Sequence, residues 1–208
     1  MSTAKDEILA RVRRALADRP TPPEIPRGYR HEGEHRPGSP ELLELLAHRL
    51  VDYKATVYHS TVDEISTVLP EALRATLPAG GTIVVPPGLP DGWAPEGAIV
   101  DDGSLTPADL DRVDAVLTAC AAACAETGTI ALDASPDQGR RSITLVPDRH
   151  VCVVRADQVV QTVPELLARL DPLRPLTFIS GPSATSDIEL QRVEGVHGPR
   201  TLVVVLAG

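Results

Sequence analysis

Leu202-Val-Val-Val-Leu206 is a run of five apolar residues with no alternation between apolar and polar positions. A strand with one wet face alternates, whereas an unbroken run of this length reads as a strand buried on both faces. Val151-Cys-Val-Val154 is a second such run. Two strands of this kind point to a parallel sheet with helices on either side. The segments around them alternate accordingly. A helix is expected over residues 41–53, with Leu42, Leu45, Leu46 and Leu50 on one face. Another is expected over 62–76, with Ile65, Val68, Leu69, Ala72 and Leu73 inward and Pro70 placed to kink it. A short helix begins at 106–110 and a further one covers 162–170. Strands are expected over 55–59, 82–85, 98–100, 115–119, 129–132 and 176–179, the fourth and fifth flanking an Ala-rich turn. Strand–helix–strand repetition predicts an α/β fold with a mainly parallel sheet flanked by helices.

Ahead of this body lies a different kind of segment. Thr3-Ala-Lys-Asp6 is a capping box, and Ile8, Leu9, Val12, Ala15 and Leu16 follow at helical spacing. Residues 3–18 therefore form an amphipathic helix with Arg11, Arg13 and Arg14 on its other face. Residues 1–19 carry five basic side chains against three acidic ones, although the whole chain has a net charge of −9. Pro20, Pro22, Pro23, Pro26, Pro37 and Pro40 mark an extended linker. The expected division is residues 1–40 as helix and linker, and 41–208 as one α/β domain. An isolated helix of this length is marginal in water, so its apolar stripe is expected to pack on some surface: its own chain, a second copy or a partner.

Composition narrows the function. The only aromatic residues are Trp93, Phe178, Tyr29, Tyr53 and Tyr58, too scattered to stack nucleobases. An acidic chain does not suit a phosphate backbone, so no nucleic-acid partner is expected. The three cysteines, Cys120, Cys124 and Cys152, are too few and wrongly spaced for a zinc site or an iron–sulfur cluster and read as buried thiols. The six histidines form no pair at metal-ligand spacing, and no dinucleotide or phosphate-loop fingerprint is present. No metal and no cofactor are expected. No stretch is long and apolar enough to span a bilayer and no secretion signal is recognisable, so the cytoplasm is the default location.

Three segments carry candidate chemistry. The first is Phe178-Ile-Ser-Gly-Pro-Ser-Ala-Thr-Ser-Asp-Ile-Glu189, a strand running into Gly181-Pro182 and then into a helix-start signature, with Ser183, Thr185 and Ser186 as possible caps. Ser180, Ser183, Thr185 and Ser186 supply hydroxyls and Asp187 a carboxylate. Free amides at a helix start attract anions, and open α/β sheets bind ligands at the carboxyl ends of their strands. The plain alternative is a well-capped helix with no ligand. The second is Glu126-Thr127-Gly128-Thr129, a carboxylate beside a flexible turn. Glu126 is suited to be a nucleophile, a general base or a hydrogen-bond anchor, or it is simply a solvent-facing turn residue. The third is Glu194-Gly195-Val196-His197-Gly198-Pro199-Arg200, where His197 is either an acid/base group, an anion ligand or a structural histidine.

Taken in order with Gly139-Arg140-Arg141, Pro147 and His150-Val-Cys-Val-Val154, these segments resemble the LUD-domain family, and within it the lactate utilization protein C branch. The likeness runs from about residue 42 to the C-terminus. It implies a fold related to the sugar-isomerase and coenzyme A-transferase group. It also implies a role beside iron–sulfur proteins in oxidising L-lactate to pyruvate. The chain lacks the Cys-rich motifs of its sister proteins, so the resemblance implies an accessory or ligand-binding subunit for a small anionic metabolite. A scaffold or regulatory protein with an empty pocket is the alternative. Glu126-Thr-Gly128 is also similar to the turn that bears the nucleophilic Glu of some coenzyme A-transferases, which makes Glu126 the one catalytic candidate. The candidate ligand-binding set is Glu126, Thr127, Gly128, Thr129, Gly181, Pro182, Ser183, Thr185, Asp187, His197 and Gly198. The purified protein is expected to be colourless; stoichiometric iron or flavin in a fresh preparation overturns the expectation that it lacks a redox centre.

Overall fold

A computed structural model describes residues 3–18, 23–182, 184–185, 193–194 and 197–208. Its main sheet contains β1 (Thr56–Ser60), β2 (Ile83–Val85), β3 (Ile99–Val100), β4 (Ala115–Thr118), β7 (Arg149–Arg155) and β12 (Thr201–Ala207), in the order β1-β12-β7-β4-β2-β3. Every pairing in it is parallel. The two long runs lie side by side, in register from Thr201↔Arg149 to Ala207↔Arg155. Their residues divide by the period-two rule of a strand. Leu202, Val204, Leu206, Cys152 and Val154 enter one core with Leu42, Leu46 and Leu50 of α2 (Pro40–Asp52). Val203, Val205, Ala207, Val151 and Val153 enter the other, with Ile65, Leu69, Ala72 and Leu73 of α3 (Ile65–Thr76). The double-sided burial read from the sequence is thus realised residue by residue. A short 3-10 turn, Val62–Glu64, leads into α3, which continues through Pro70.

The Ala-rich segment expected as a turn is instead a strand. β5 (Ala122–Cys124) pairs antiparallel with β6 (Thr129–Leu132) and parallel with β8 (Val159–Val160), and β6 pairs with β9 (Thr177–Ile179). These four form a second sheet, β8-β5-β6-β9. Alanine has little intrinsic strand preference. Here its small side chain lets this sheet lie close against the first, and Ala122, Ala123 and Cys124 are fully buried. Ala123, Ala125, Ile130 and Leu132 join the α2 core. The remaining helices are α4 (Pro107–Leu110), α5 (Arg141–Leu145) and α6 (Val163–Ala168). α5 was not evident in the sequence. It is positioned by Arg140, whose guanidinium donates to both oxygens of buried Asp101 (2.8 and 2.9 Å) and to the Leu105 carbonyl (2.6 Å).

The helix expected from the Ser183 region is corrected in its first residues. Ala184–Thr185 is a strand, β10, paired antiparallel with β11 (Val193–Glu194). An alternating ribbon cannot present the amides of a helix start, so those of Ala184 and Thr185 do not form one. Ser183, Ser186, Asp187 and Glu189 lie outside the described residues, as does any helix beginning at Ser186.

The N-terminal helix α1 (Ala4–Ala15) carries the expected capping box between Thr3 and Asp6. None of its residues is buried, and Ile8, Leu9, Val12 and Leu16 are all exposed. The linker is irregular from residue 23, but its end is tied to the body. Glu34 and His35 amides donate to Gln161 Oε1 (2.7 and 2.9 Å), and the Gly38 amide donates to the Val159 carbonyl (2.9 Å). All three cysteines are free and buried, and no helix among the described residues is long and apolar enough to cross a membrane. Because Leu46 has no exposed surface and touches both sheets' core, Leu46→Ala is expected to cost about 2–5 kcal/mol in chemical denaturation.

Candidate functional site

A parallel sheet has two unlike edges. The chain leaves each strand at the carboxyl edge and enters it at the amino edge. β2 leads outward to β3, while β4, β7 and β12 are added in the other direction, so the strand order reverses between β2 and β4. In open α/β sheets ligands favour the carboxyl edge at such a reversal. Here the chain itself takes up part of that crevice and leaves an open cleft of about 500 Å³ lined by Gly88, Cys120, Asp133, Asp137 and Arg169. The loop after β6 lies across it: the Gly88 amide donates to the Pro136 carbonyl (2.9 Å) and the Ala119 amide to the Asp137 carbonyl (3.0 Å). The strand-end amides that would meet a ligand are already paired. Asp133 is bridged to Arg174 (3.1 Å), and burial pushes the Asp137 carboxyl up from its ordinary range.

The three candidate segments gather instead at the amino edge. A cleft of about 230 Å³ is lined by Thr177 to Pro182, by His197, Gly198 and Pro199, by Thr144 and Leu145 of α5, and by His150 and Leu202 near the starts of β7 and β12. The volume lies below the roughly 300–1,000 Å³ of drug-sized sites, which suits a small metabolite. Among the described residues its polar side chains are Thr144, His150, Thr177, Ser180 and His197, with no carboxylate. Gly181, Pro182, His197 and Gly198 of the expected set thus come together.

The Glu126 turn reaches this cleft only through a chain of hydroxyls. Thr127 Oγ1 and Thr129 Oγ1 are 2.8 Å apart, and Thr129 Oγ1 and Ser180 Oγ are again 2.8 Å apart. Gly128 has φ of 62°, and a side chain there would meet Cβ of Arg49 at 2.8 Å. Gly181 has φ of 84° and lies in the same way against Tyr53, where a Cβ would come within 2.5 Å. Both glycines are needed for close packing on the end of α2, not for the approach of a ligand. Glu126 itself faces away. Arg30 of the linker donates to both its carboxylate oxygens, one at 2.6 Å, and Gln161 Nε2 donates to it at 3.1 Å. The Arg30 guanidinium holds the Glu126 carboxyl below its ordinary range. The side chain of Thr185 lies outside those described.

The sequence reading passed over His150, because it has no metal-ligand spacing. The ring is 1% exposed, and its Nε2 lies 2.8 Å from Thr118 Oγ1. The available signal was its position, a histidine opening the otherwise apolar run that ends at Val154. Two residues on, and so on the same face, Cys152 neighbours Cys120. Its interaction with Cys152, together with burial, pushes the Cys120 thiol well up. Cys120 is further held near Gln158, whose Nε2 donates to the Cys120 carbonyl at 2.6 Å.

Comparison with known proteins follows the same lines. The LUD domain model matches residues 98–207. The chain is 50% identical over 174 residues to the lactate utilization protein C of Deinococcus radiodurans, covering 81% of this chain and 80% of that one. It is 26% identical over 186 residues to the lactate utilization protein C of Bacillus subtilis, covering 76% of each. A crystal structure of a DUF162 family protein from Deinococcus radiodurans superposes with a TM-score of 0.67 at 39% identity, covering 81% of this chain and 97% of that one.

The linker contacts make a measurable prediction. The Arg30–Glu126 pair requires an ionised Glu126, so it is complete above the ordinary carboxylate range and is lost as pH falls through the lowered value. Arg30→Ala is expected to leave the melting temperature nearly unchanged, because exposed pairs stabilise little. It should raise deuterium uptake across residues 30–38. Unchanged uptake would show that Gln161, Glu165 and Val159 hold this segment without the ion pair.

Proposed function

The chain belongs to the LUD domain family, and from that footing we propose that it serves L-lactate utilization as a non-redox subunit that binds a small anionic metabolite. The observation that carries the binding reading is the amino-edge cleft, which gathers Ser180 to Pro182 and His197 to Pro199 around buried His150. His150 contributes a polar ring at the floor of the cleft, its Nε2 engaged with Thr118 Oγ1. His197 and Ser180 add polar groups at the mouth, and Leu145, Ile179 and Leu202 offer an apolar wall for a short carbon body. A small carboxylate matches that division. Gly181, Pro182 and Gly198 shape the rim, and Thr127 and Thr129 orient Ser180 through their hydroxyl chain.

Imidazoles and hydroxyls move protons, not electrons. The oxidation of L-lactate to pyruvate is therefore assigned to iron–sulfur partner proteins, as the family resemblance implies. The coenzyme A-transferase-like reading draws no support from the geometry, since Glu126 is held by Arg30 and Gln161 away from the cleft. The scaffold reading is the one that a ligand-free result would favour.

Differential scanning with L-lactate, pyruvate and inorganic phosphate tests the proposal. A ligand at 100 times its Kd stabilises by about 2.7 kcal/mol, or about 5–10 °C for a domain of this size. Ser180→Ala and His197→Ala should each reduce that shift. No shift with any of the three compounds would leave the scaffold reading in place. Undiminished growth on L-lactate after deletion of the gene would overturn the assignment to lactate utilization.

A further inference from the structure

Among the described residues two apolar surfaces lack a partner, and they match. The first is the stripe of α1. Ile8, Val12 and Leu16 stand four residues apart, with Leu9 beside them, and their exposures are 61%, 48%, 62% and 39%. The second is a groove on the outer side of α2, floored by Leu43, Ala47 and Val51 and walled by Val57 and His59 of β1. Val51 is 55% exposed. β1 is the edge strand of the main sheet, so its outer hydrogen-bonding groups and this groove lie on one uncovered flank.

The two stripes agree in geometry and in charge. Ile8–Val12–Leu16 and Leu43–Ala47–Val51 are both rows of residues four apart. Each row runs over eight residue-to-residue steps, or about 12 Å at 1.5 Å per step. Rows of this kind from two helices interdigitate in the commonest helix-packing class. α1 carries Lys5, Arg11, Arg13 and Arg14 against Asp6 and Glu7, whereas α2 carries Glu41, Glu44 and Asp52 against Arg49. The two helices thus carry net charge of opposite sign, with Arg11, Arg13 and Arg14 on the other face of α1 from its apolar row.

We infer that α1 seats in the α2–β1 groove of a second copy of this chain, and that two such contacts are exchanged in a reciprocal dimer. The single chain leaves α1 off its own body, with no residue of it buried. The linker ahead of the Arg30 anchor gives the helix reach: 13 residues lie between Leu16 and that point, enough for about 45 Å when extended. Exchange of an identical element is a direct route to a closed two-fold assembly.

The test uses the full-length chain and two surface variants, Val12→Glu on the helix and Val51→Glu in the groove. Both positions are exposed in the single chain, so both variants should fold with unchanged circular dichroism. Sedimentation equilibrium of the unaltered protein should give twice the 22.1 kDa chain mass. Each variant alone should weaken self-association at least tenfold. An equal mixture of the two should recover part of it, because one α1 and one groove remain intact in the mixed pair. A monomer at all concentrations would overturn the inference, and with a lowered melting temperature for Val12→Glu it would show that α1 docks on its own body. A dimer untouched by either variant would overturn it as well, by placing the interface elsewhere.

Discussion

The contact between β7 and β12 is what the remaining structure is built around. Seven residues of each strand pair in parallel, and successive side chains leave the sheet on opposite faces. One set of alternating residues can be buried only if α2 and the second sheet cover it. The other can be buried only if α3 does so. With almost no aromatic residues available, the two cores are filled by Val, Leu, Ile and Ala, whose small volumes demand close layers. That requirement makes a strand out of Ala122–Cys124 and places glycine where the turns of 126–128 and 180–182 meet the end of α2.

The same layering shapes both edges of the sheet. β5 runs from the carboxyl edge back toward the amino edge, so the turn at Glu126 lies at the amino edge. β6 returns, and its following loop falls across the reversal between β2 and β4, where its carbonyls take the strand-end amides. A fold that binds ligands at its carboxyl edge in other settings has part of that position filled by its own backbone here, beside an open cleft lined by Asp133, Asp137 and Arg169. A second cleft lies under the start of β7, where His150 enters the sheet. The polar groups that converge at the amino edge carry the proposal.

Glu126 illustrates how a residue's chemistry depends on its partner. A carboxylate beside a glycine turn has the form of a nucleophile or base. In the folded chain it anchors the linker through Arg30, and Gln161 joins both, donating to Glu126 while accepting from the amides of Glu34 and His35. The linker is therefore not a uniform tether. Its last ten residues belong to the body's surface, and only the part before Arg30 is available to give α1 its reach.

Much of the fold was legible in the chain because it rests on local period and on punctuation. Unbroken runs at 151–154 and 202–206 require burial on both faces. The leucine and isoleucine spacing of α2 and α3 fixes their inner sides, and the Thr3 and Thr106 capping boxes mark helix starts. The family motifs were legible in the same way, as residues in order. Three things were not, because each depends on residues far apart in sequence. Ala122–Cys124 is a strand only because two sheets close over it. The glycines at 128 and 181 are explained only by Arg49 and Tyr53, which approach from another element. His150 becomes a site residue only once the parallel order sets it beside Thr118 and beneath the loops at 180 and 197. Sequence by itself determined the layers, since burial period is a local property; tertiary structure decided the site, since a cleft is made by the distances between layers.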